Sequence, residues 1–298
     1  LLLRRHFNKS DADVRPGVIV TFHEFRSMRN RWRARAAGLM VGADAVVTVD
    51  DEDLPHAQKW ASYVAPVTAV FGSPVYRGIA IAPNAEPVET NPAKRRQWRQ
   101  ELGLADDEFA AVFFGILYPH KGIEEMLDAI EVLRASNRKI RPVVVGDFDR
   151  SDDWTRRMEQ RLAGESIIWQ RGVSLNRVSE VLHACDVGVL PFHTGCGPNR
   201  SSLLACVAHG LPTITTDGPC TPDTFRDESP LVYVPVQNAG AIGGALRRLM
   251  DDQPRREELR KASLEMAAKR AWPQIARQHL DLYASLGQEE TVATEASA

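Results

Sequence analysis

Short runs rich in β-branched and aliphatic residues recur along this chain: Val18–Phe22, Ala45–Val49, Gly78–Ala82, Ala111–Leu117, Pro142–Val145, Val187–Leu190, Pro212–Thr215 and Leu231–Val234. They are mostly apolar throughout instead of alternating, as strands covered on both faces of a parallel sheet must be. Between most of them lie stretches with apolar residues three and four apart, as in Ile123–Ala135, Arg177–Ala184, Leu203–Ala208 and Ala241–Met250. Parallel neighbours need a crossover, and a helix that hides one face against the sheet supplies it. The pattern predicts an α/β fold with parallel sheets flanked by helices.

Length sets the number of such sheets. At roughly 100–200 residues per domain, 298 residues predict two. A hydrophobic content of 44% can fill large cores and excludes fibrous and disordered classes. The 37 Lys and Arg nearly balance 39 Asp and Glu, so there is no general basic surface for nucleic acid. No apolar run approaches the roughly 20 residues that cross a bilayer. Cys185, Cys196, Cys206 and Cys220 form no C-x-x-C pair, which excludes a disulfide framework and zinc-ligand spacing. They read as free, mostly buried thiols of a cytoplasmic protein.

Composition shifts between Pro83 and Asp107, where a turn-like Pro83-Asn84-Ala85-Glu86-Pro87 precedes a basic Lys94–Gln100 segment. This predicts a linker over 86–106 between one α/β unit in 1–85 and another in 107–271. Trp272–Leu286 has the spacing of a last amphipathic helix, and the polar 288–298 is expected to fray.

Two loops stand out as sites for chemistry. The apolar run ending at Pro191 leads into Thr194-Gly195-Cys196-Gly197-Pro198-Asn199-Arg200, after which Ser201-Ser202 opens a helix ending at His209-Gly210. A serine N-cap and a glycine after the last turn suit the two ends. A Gly-rich loop between a strand's carboxyl end and a helix N-terminus is where α/β proteins hold phosphates. Arg200 at that mouth has the fork for bidentate phosphate contacts. The second loop, Gly115-Ile116-Leu117-Tyr118-Pro119-His120-Lys121-Gly122, also follows a strand and precedes a helix. There Lys121 offers a point charge. Together they predict a diphosphate held between two helix N-termini. A plain connection carrying incidental surface cations remains the alternative for each loop alone.

Several segments now resemble one family in consistent order: Phe114-Gly115 through Lys121-Gly122-Ile123-Glu124, Val187–Pro191, Ser202–Pro212, Ile81-Ala82-Pro83-Asn84 and Trp272-Pro273-Gln274-Ile275-Ala276. The chain resembles family 4 glycosyltransferases of the GT-B fold. That resemblance implies two facing Rossmann-like domains, with a nucleotide-diphosphate sugar bound by 107–271 and an acceptor by the N-terminal domain, against which 272–287 would pack. It implies metal-independent transfer with retention of configuration, no cofactor beyond the sugar donor, and a sugar, lipid-linked or small-molecule acceptor. Carried over by position, Gly115, Lys121, Asn199, Arg200, Ser201 and Ser202 would meet the donor diphosphate. His23, directly after an apolar strand, would act at the transfer centre, and Glu24 would hydrogen-bond acceptor hydroxyls. A packing role for His23 and a solvated one for Glu24 stay open.

The sequence also departs from the family. Gly197 and Ala205 stand where it usually has paired glutamates, and Ile116 where an Arg often follows the glycine. Sugar recognition must differ, so the Asn199–Ser202 turn is expected to take it over. A catalytically silent nucleotide-sugar-binding subunit is the alternative. An epimerase would need acid–base groups at the sugar, which this carboxylate-poor loop does not offer.

The segment Glu24–Met40 interleaves Arg26, Arg29, Arg31, Arg33 and Arg35 with Phe25, Met28, Trp32, Leu39 and Met40. On a helix, Arg26, Arg29 and Arg33 would share one face. Such a helix suits either ordinary solvent or peripheral contact with anionic headgroups at the inner face of a membrane. The chain opens Leu1-Leu2-Leu3-Arg4. Before Asn84 there is room for only part of an acceptor domain, so a chain cut at its N-terminus is expected. Its first sheet should be incomplete, and it should bind donor more readily than it transfers sugar.

Overall fold

The computed structural model describes residues 17–23, 28–40, 43–63, 74–164, 166–228 and 230–295. It divides into two compact units, Leu1–Ile81 with Trp272–Ala298, and Ala82–Ala271. The expectation of mixed α/β structure with parallel sheets holds in both.

In the first unit, strands β1 (Ile19–Phe22), β2 (Ala45–Thr48) and β3 (Val75–Gly78) pair in parallel in the order β1-β2-β3. Among the described residues β1 and β3 each pair on one side only. Helices α1 (Asn30–Met40) and α2 (Leu54–Ser62) supply the crossovers. Phe22, Ala36, Met40, Val46 and Ala57 form a small core. The third run was expected at Gly78–Ala82 but the strand precedes it. Val75 and Tyr76 are the better strand formers, and Pro83 pulls the following residues out of the ladder.

The second unit holds six parallel strands: β4 (Phe109–Phe114), β5 (Ile140–Val145), β6 (Ile168–Gln170), β7 (Val187–Leu190), β8 (Thr213–Asp217) and β9 (Val232–Pro235). Their order, β6-β5-β4-β7-β8-β9, is that of a doubly wound Rossmann sheet. The crossover helices are α4 (Ile123–Ala135), α5 (Asp153–Leu162), α6 (Leu175–Ala184), α7 (Ser201–Ala208) and α8 (Asp223–Glu228), and after β9 come α9 (Ala239–Asp251) and α10 (Gln253–Lys269). Strand β6 has only three residues, all half-buried, and its apolar run, Ile167-Ile168-Trp169, is too short to stand out among the others. The first strand of this unit stops at Phe114 rather than Leu117, because Gly115 turns the chain with a positive φ.

The expected linker at 86–106 is instead part of this second unit. Its helix α3 (Pro92–Glu101) is capped by Asn91, whose side chain accepts from the Ala93 and Lys94 amides. Trp98 and Arg99 are buried. Arg99 donates to the Ala105, Glu108 and Ala184 carbonyls and to Asp186, and Arg95 donates to the His183 and Cys185 carbonyls and to the same aspartate. Asp186 also accepts from the Ala110 amide at 2.8 Å. The basic character that read as a linker is a clamp at the amino ends of β4 and β7.

The last helix, α11 (Trp272–Glu295), runs through most of the segment expected to fray. Gln288, Glu289, Glu290, Ala293 and Glu295 are good helix formers with no proline among them. Cys185, Cys196 and Cys206 are buried and Cys220 is half-buried.

Candidate functional site

From β4 the chain winds outward through β5 to β6, then returns to β7 beside β4 and winds the other way through β8 to β9. The loops leaving the carboxyl ends of β4 and β7 therefore diverge, and the crevice between them is where doubly wound sheets take ligands. The two loops singled out from the sequence are the two that flank this crevice.

After β4, Leu117 pairs with Phe148 in a parallel bridge, and Pro119–Lys121 make a 3-10 turn. Gly122 has φ +76°, and a Cβ there would overlap the Pro191 carbonyl. Glycine thus lets the turn lie directly on the start of the other loop. Lys121 precedes the helix, with Gly122 as the N-cap of α4. The His193 amide donates to the His120 carbonyl at 3.0 Å, and its imidazole Nε2 meets Glu125 Oε1 at 2.8 Å. On the other side, a Cβ on Gly115 would lie 3.5 Å from Ser202 Oγ. The structure so brings Gly115, Lys121 and Ser202 into one site.

After β7, the loop is held by the 216–221 segment. The Cys196 amide donates to the Thr216 carbonyl at 3.0 Å and the Cys220 amide to the Thr194 carbonyl at 2.8 Å. Gly195, with φ +86°, is packed so closely on Thr221 and Gly218 that a side chain would overlap them. Helix α7 begins at Ser201, so Arg200 and not a serine occupies the N-cap, and its side chain makes no cap bond to the helix. A guanidinium carries donors only and cannot accept from helical amides. Ser201 and Ser202 fall in the first turn, which has no acidic residue. The first turn of α4 holds Glu124 and Glu125. The dipole of α7 is thus the one left open to an anion.

Gly197 and Ala205, the positions where glutamates were expected from the resemblance, are both buried. A Cβ on Gly197 would lie 3.1 Å from Asn199 Oδ1 and 3.4 Å from the Cys220 carbonyl. The loop is packed around the absence of a side chain there.

The field of the crevice is positive. Lys121 Nζ and the Arg200 guanidinium each lie 5.1 Å from the centroid of the Phe192 ring. Arg150 lies over Tyr118, whose ring stacks on His120 at 5.5 Å. Partial burial holds the His120 pKa below its ordinary value, and Lys121, Arg200, His193 and Arg150 depress it further. Phe192, His193, Glu125 and His120 were not singled out from the sequence. Phe192 closes an apolar run and reads as core, and the histidines have no local pattern that marks them.

His23 follows β1 in the first unit and is exposed. Glu24 and Arg26 lie outside the described residues. Helix α1 starts at Asn30, so of the expected face Arg29 precedes it and Arg33 lies within it. Its exposed residues include Arg31, Trp32, Arg35 and Leu39, with the Arg35 and Arg31 guanidinium groups 4.8 and 5.8 Å from the Trp32 ring centroid.

A doubly wound domain with cations and a helix N-terminus at its switch point has the arrangement in which such folds hold phosphates. Residues 94–266 match the family model described as glycosyl transferases group 1, and the chain belongs to that family. It is 26% identical over 225 residues to a D-inositol 3-phosphate glycosyltransferase of Stackebrandtia nassauensis, a match covering 72% of this chain and 50% of that protein. It is 29% identical over 163 residues to the putative teichuronic acid biosynthesis glycosyltransferase TuaC of Bacillus subtilis, covering 55% and 38%. The chain thus spans about half the length, or less, of these relatives. Among solved structures, sucrose-phosphate synthase from Thermosynechococcus elongatus superposes with a TM-score of 0.72 at 21% identity, covering 97% of this chain and 70% of that one. The Anabaena protein HepE, solved with UDP and glucose, gives 0.68 at 15% identity, covering 90% and 72%. These likenesses bear out the GT-B fold.

Proposed function

We propose that the chain binds a nucleotide-diphosphate sugar at the β4–β7 crevice and serves transfer of that sugar to an acceptor. The observation that carries this is the meeting of Lys121, Arg200 and the α7 N-terminus at the switch point. These donors match the two phosphates of a leaving diphosphate, where negative charge grows as the glycosidic bond breaks. Gly115 gives the backbone close approach, and Asn199, Ser201 and Ser202 offer further hydrogen-bonding groups. With two fixed cations supplying the charge stabilisation, the transfer is metal-independent and uses no cofactor besides the donor. HepE, which shares the fold, was solved with UDP-glucose, which makes a nucleotide-sugar the first donor class to test. Retention of configuration, and the action of His23 and Glu24 on the acceptor, rest on the family resemblance. The acceptor is a sugar, a lipid-linked glycan or a small molecule of the sort used in polysaccharide or glycolipid synthesis. Among the described residues no helix is long and apolar enough to cross a membrane, so approach to a lipid-linked acceptor would be peripheral, through the exposed face of α1.

The test is a thermal-shift screen of nucleotide-sugars, followed by calorimetry and by release of free nucleoside diphosphate. A donor that stabilises the chain by mass action and loses at least tenfold in affinity in Arg200→Ala supports the assignment. Unchanged affinity in that variant refutes it. Binding with neither hydrolysis nor transfer would assign the chain to donor capture alone.

A further inference from the structure

Lys121 and Arg200 come from different loops, yet both lie over one aromatic ring. Their charged groups are each 5.1 Å from the Phe192 centroid, so they are separated by twice that distance at most. Two like charges at no more than about 10 Å repel each other, the more so at low salt. The ring is 2% exposed, so its attraction for a cation acts with little competing water. Its backbone is also fixed. The Phe192 amide donates to the Leu190 carbonyl at 3.1 Å, its carbonyl accepts from the Gly195 amide at 3.1 Å, and Thr216 Oγ1 donates to the same carbonyl. The ring thus stands at a set place immediately beyond β7.

We propose that Phe192 is a positioning residue, whose ring holds Lys121 and Arg200 at the spacing that receives the two phosphates of the donor. This rests on the diphosphate assignment of the crevice. A ring restrains the two side chains without itself bringing a charge to compete with the phosphates. Holding both side chains before the ligand arrives removes ordering cost from binding. The ring has no contact of its own with the reacting atoms in this role and acts through the two cations.

The test replaces Phe192 with mono-, di- and trifluorinated phenylalanine, which keep the ring's shape while withdrawing electron density from its face. Calorimetry is run with UDP, GDP and inorganic pyrophosphate as probes, and with UMP as the single-phosphate control. Affinity for the diphosphate probes is expected to fall stepwise along the series, about tenfold in total, or ~1.4 kcal/mol. UMP should lose less, and Phe192→Tyr should bind like the natural chain. Phe192→Leu should lose more, and its loss should shrink when made in an Arg200→Ala background, as coupled residues do. A flat fluorinated series overturns the proposal, as does an equal loss for UMP and UDP. Arg200→Ala alone separates the two levels: if it leaves binding intact, the diphosphate assignment itself fails. No binding of any probe by the natural chain overturns both.

Discussion

Replacing Arg99 with methionine should destabilise the second unit without touching the crevice. Methionine keeps much of the buried stem and removes only the guanidinium. That group donates to the Ala184 carbonyl at 2.9 Å, to Asp186 Oδ2 at 3.2 Å, to the Ala105 carbonyl at 3.0 Å and to the Glu108 carbonyl at 2.6 Å. Arg99 is 5% exposed, so water cannot readily take its place. Removing one partner of a buried ion pair typically costs about 3–5 kcal/mol. Asp186 keeps Arg95 at 2.6 Å and the Ala110 amide at 2.8 Å, which argues for the lower end, about 3 kcal/mol. For a unit of this size each kcal/mol moves the melting temperature by roughly 2–4 °C, so Tm should fall by roughly 6–12 °C. Differential scanning calorimetry gives the shift, and hydrogen exchange at the Ala110 amide shows whether the clamp has opened. The clamp sits at the amino ends of the strands and the crevice at their carboxyl ends, so UDP affinity measured well below Tm should stay the same. A shift under about 2 °C would refute the view of Arg99 as a clamp.

Two further predictions concern charge. In the free protein His120 should titrate below its ordinary value, since burial and the cations around it disfavour the imidazolium. A bound diphosphate favours that imidazolium, so the His120 midpoint in histidine NMR spectra should move up on adding UDP. A midpoint that stays put or moves down would separate His120 from the anion site. The second concerns α1, where Trp32 is 47% and Leu39 64% exposed beside Arg31 and Arg35. Co-sedimentation with anionic vesicles at low salt, lost at high salt and in Trp32→Ala with Arg35→Ala, is expected if this face meets headgroups. Salt-insensitive or absent binding would assign it to ordinary solvent.

The strands and the two loops were legible because their signals are local. A buried parallel strand must be apolar along its length, and a chain that turns out of it toward a helix must show glycine and a polar mouth. What escaped depends on partners remote in sequence. Arg99 and Asp186 are 87 residues apart, and nothing near Lys94–Gln100 announces that its charges will be buried. Phe192 could be read as core from its neighbours, and core it is. That two cations from separate loops would share its ring follows only from the placing of β7 beside β4. The serine N-cap failed for a different reason. Ser201 and Ser202 are good caps by type, but the Gly197–Asn199 turn delivers the chain to the helix one residue earlier, at Arg200.

That early start carries a thermodynamic consequence. A helix opening on Arg200 forgoes an N-cap side-chain bond usually worth about 1 kcal/mol. Aspartate or serine at this position would close the helix end, giving a more heat-resistant protein with a poorer grip on phosphate. Thermostabilising this chain by consensus or by cap optimisation would therefore select against the donor site proposed at residue 200, as gains in stability made at functional sites often do. The open helix end is a standing deficit that a bound donor would make good.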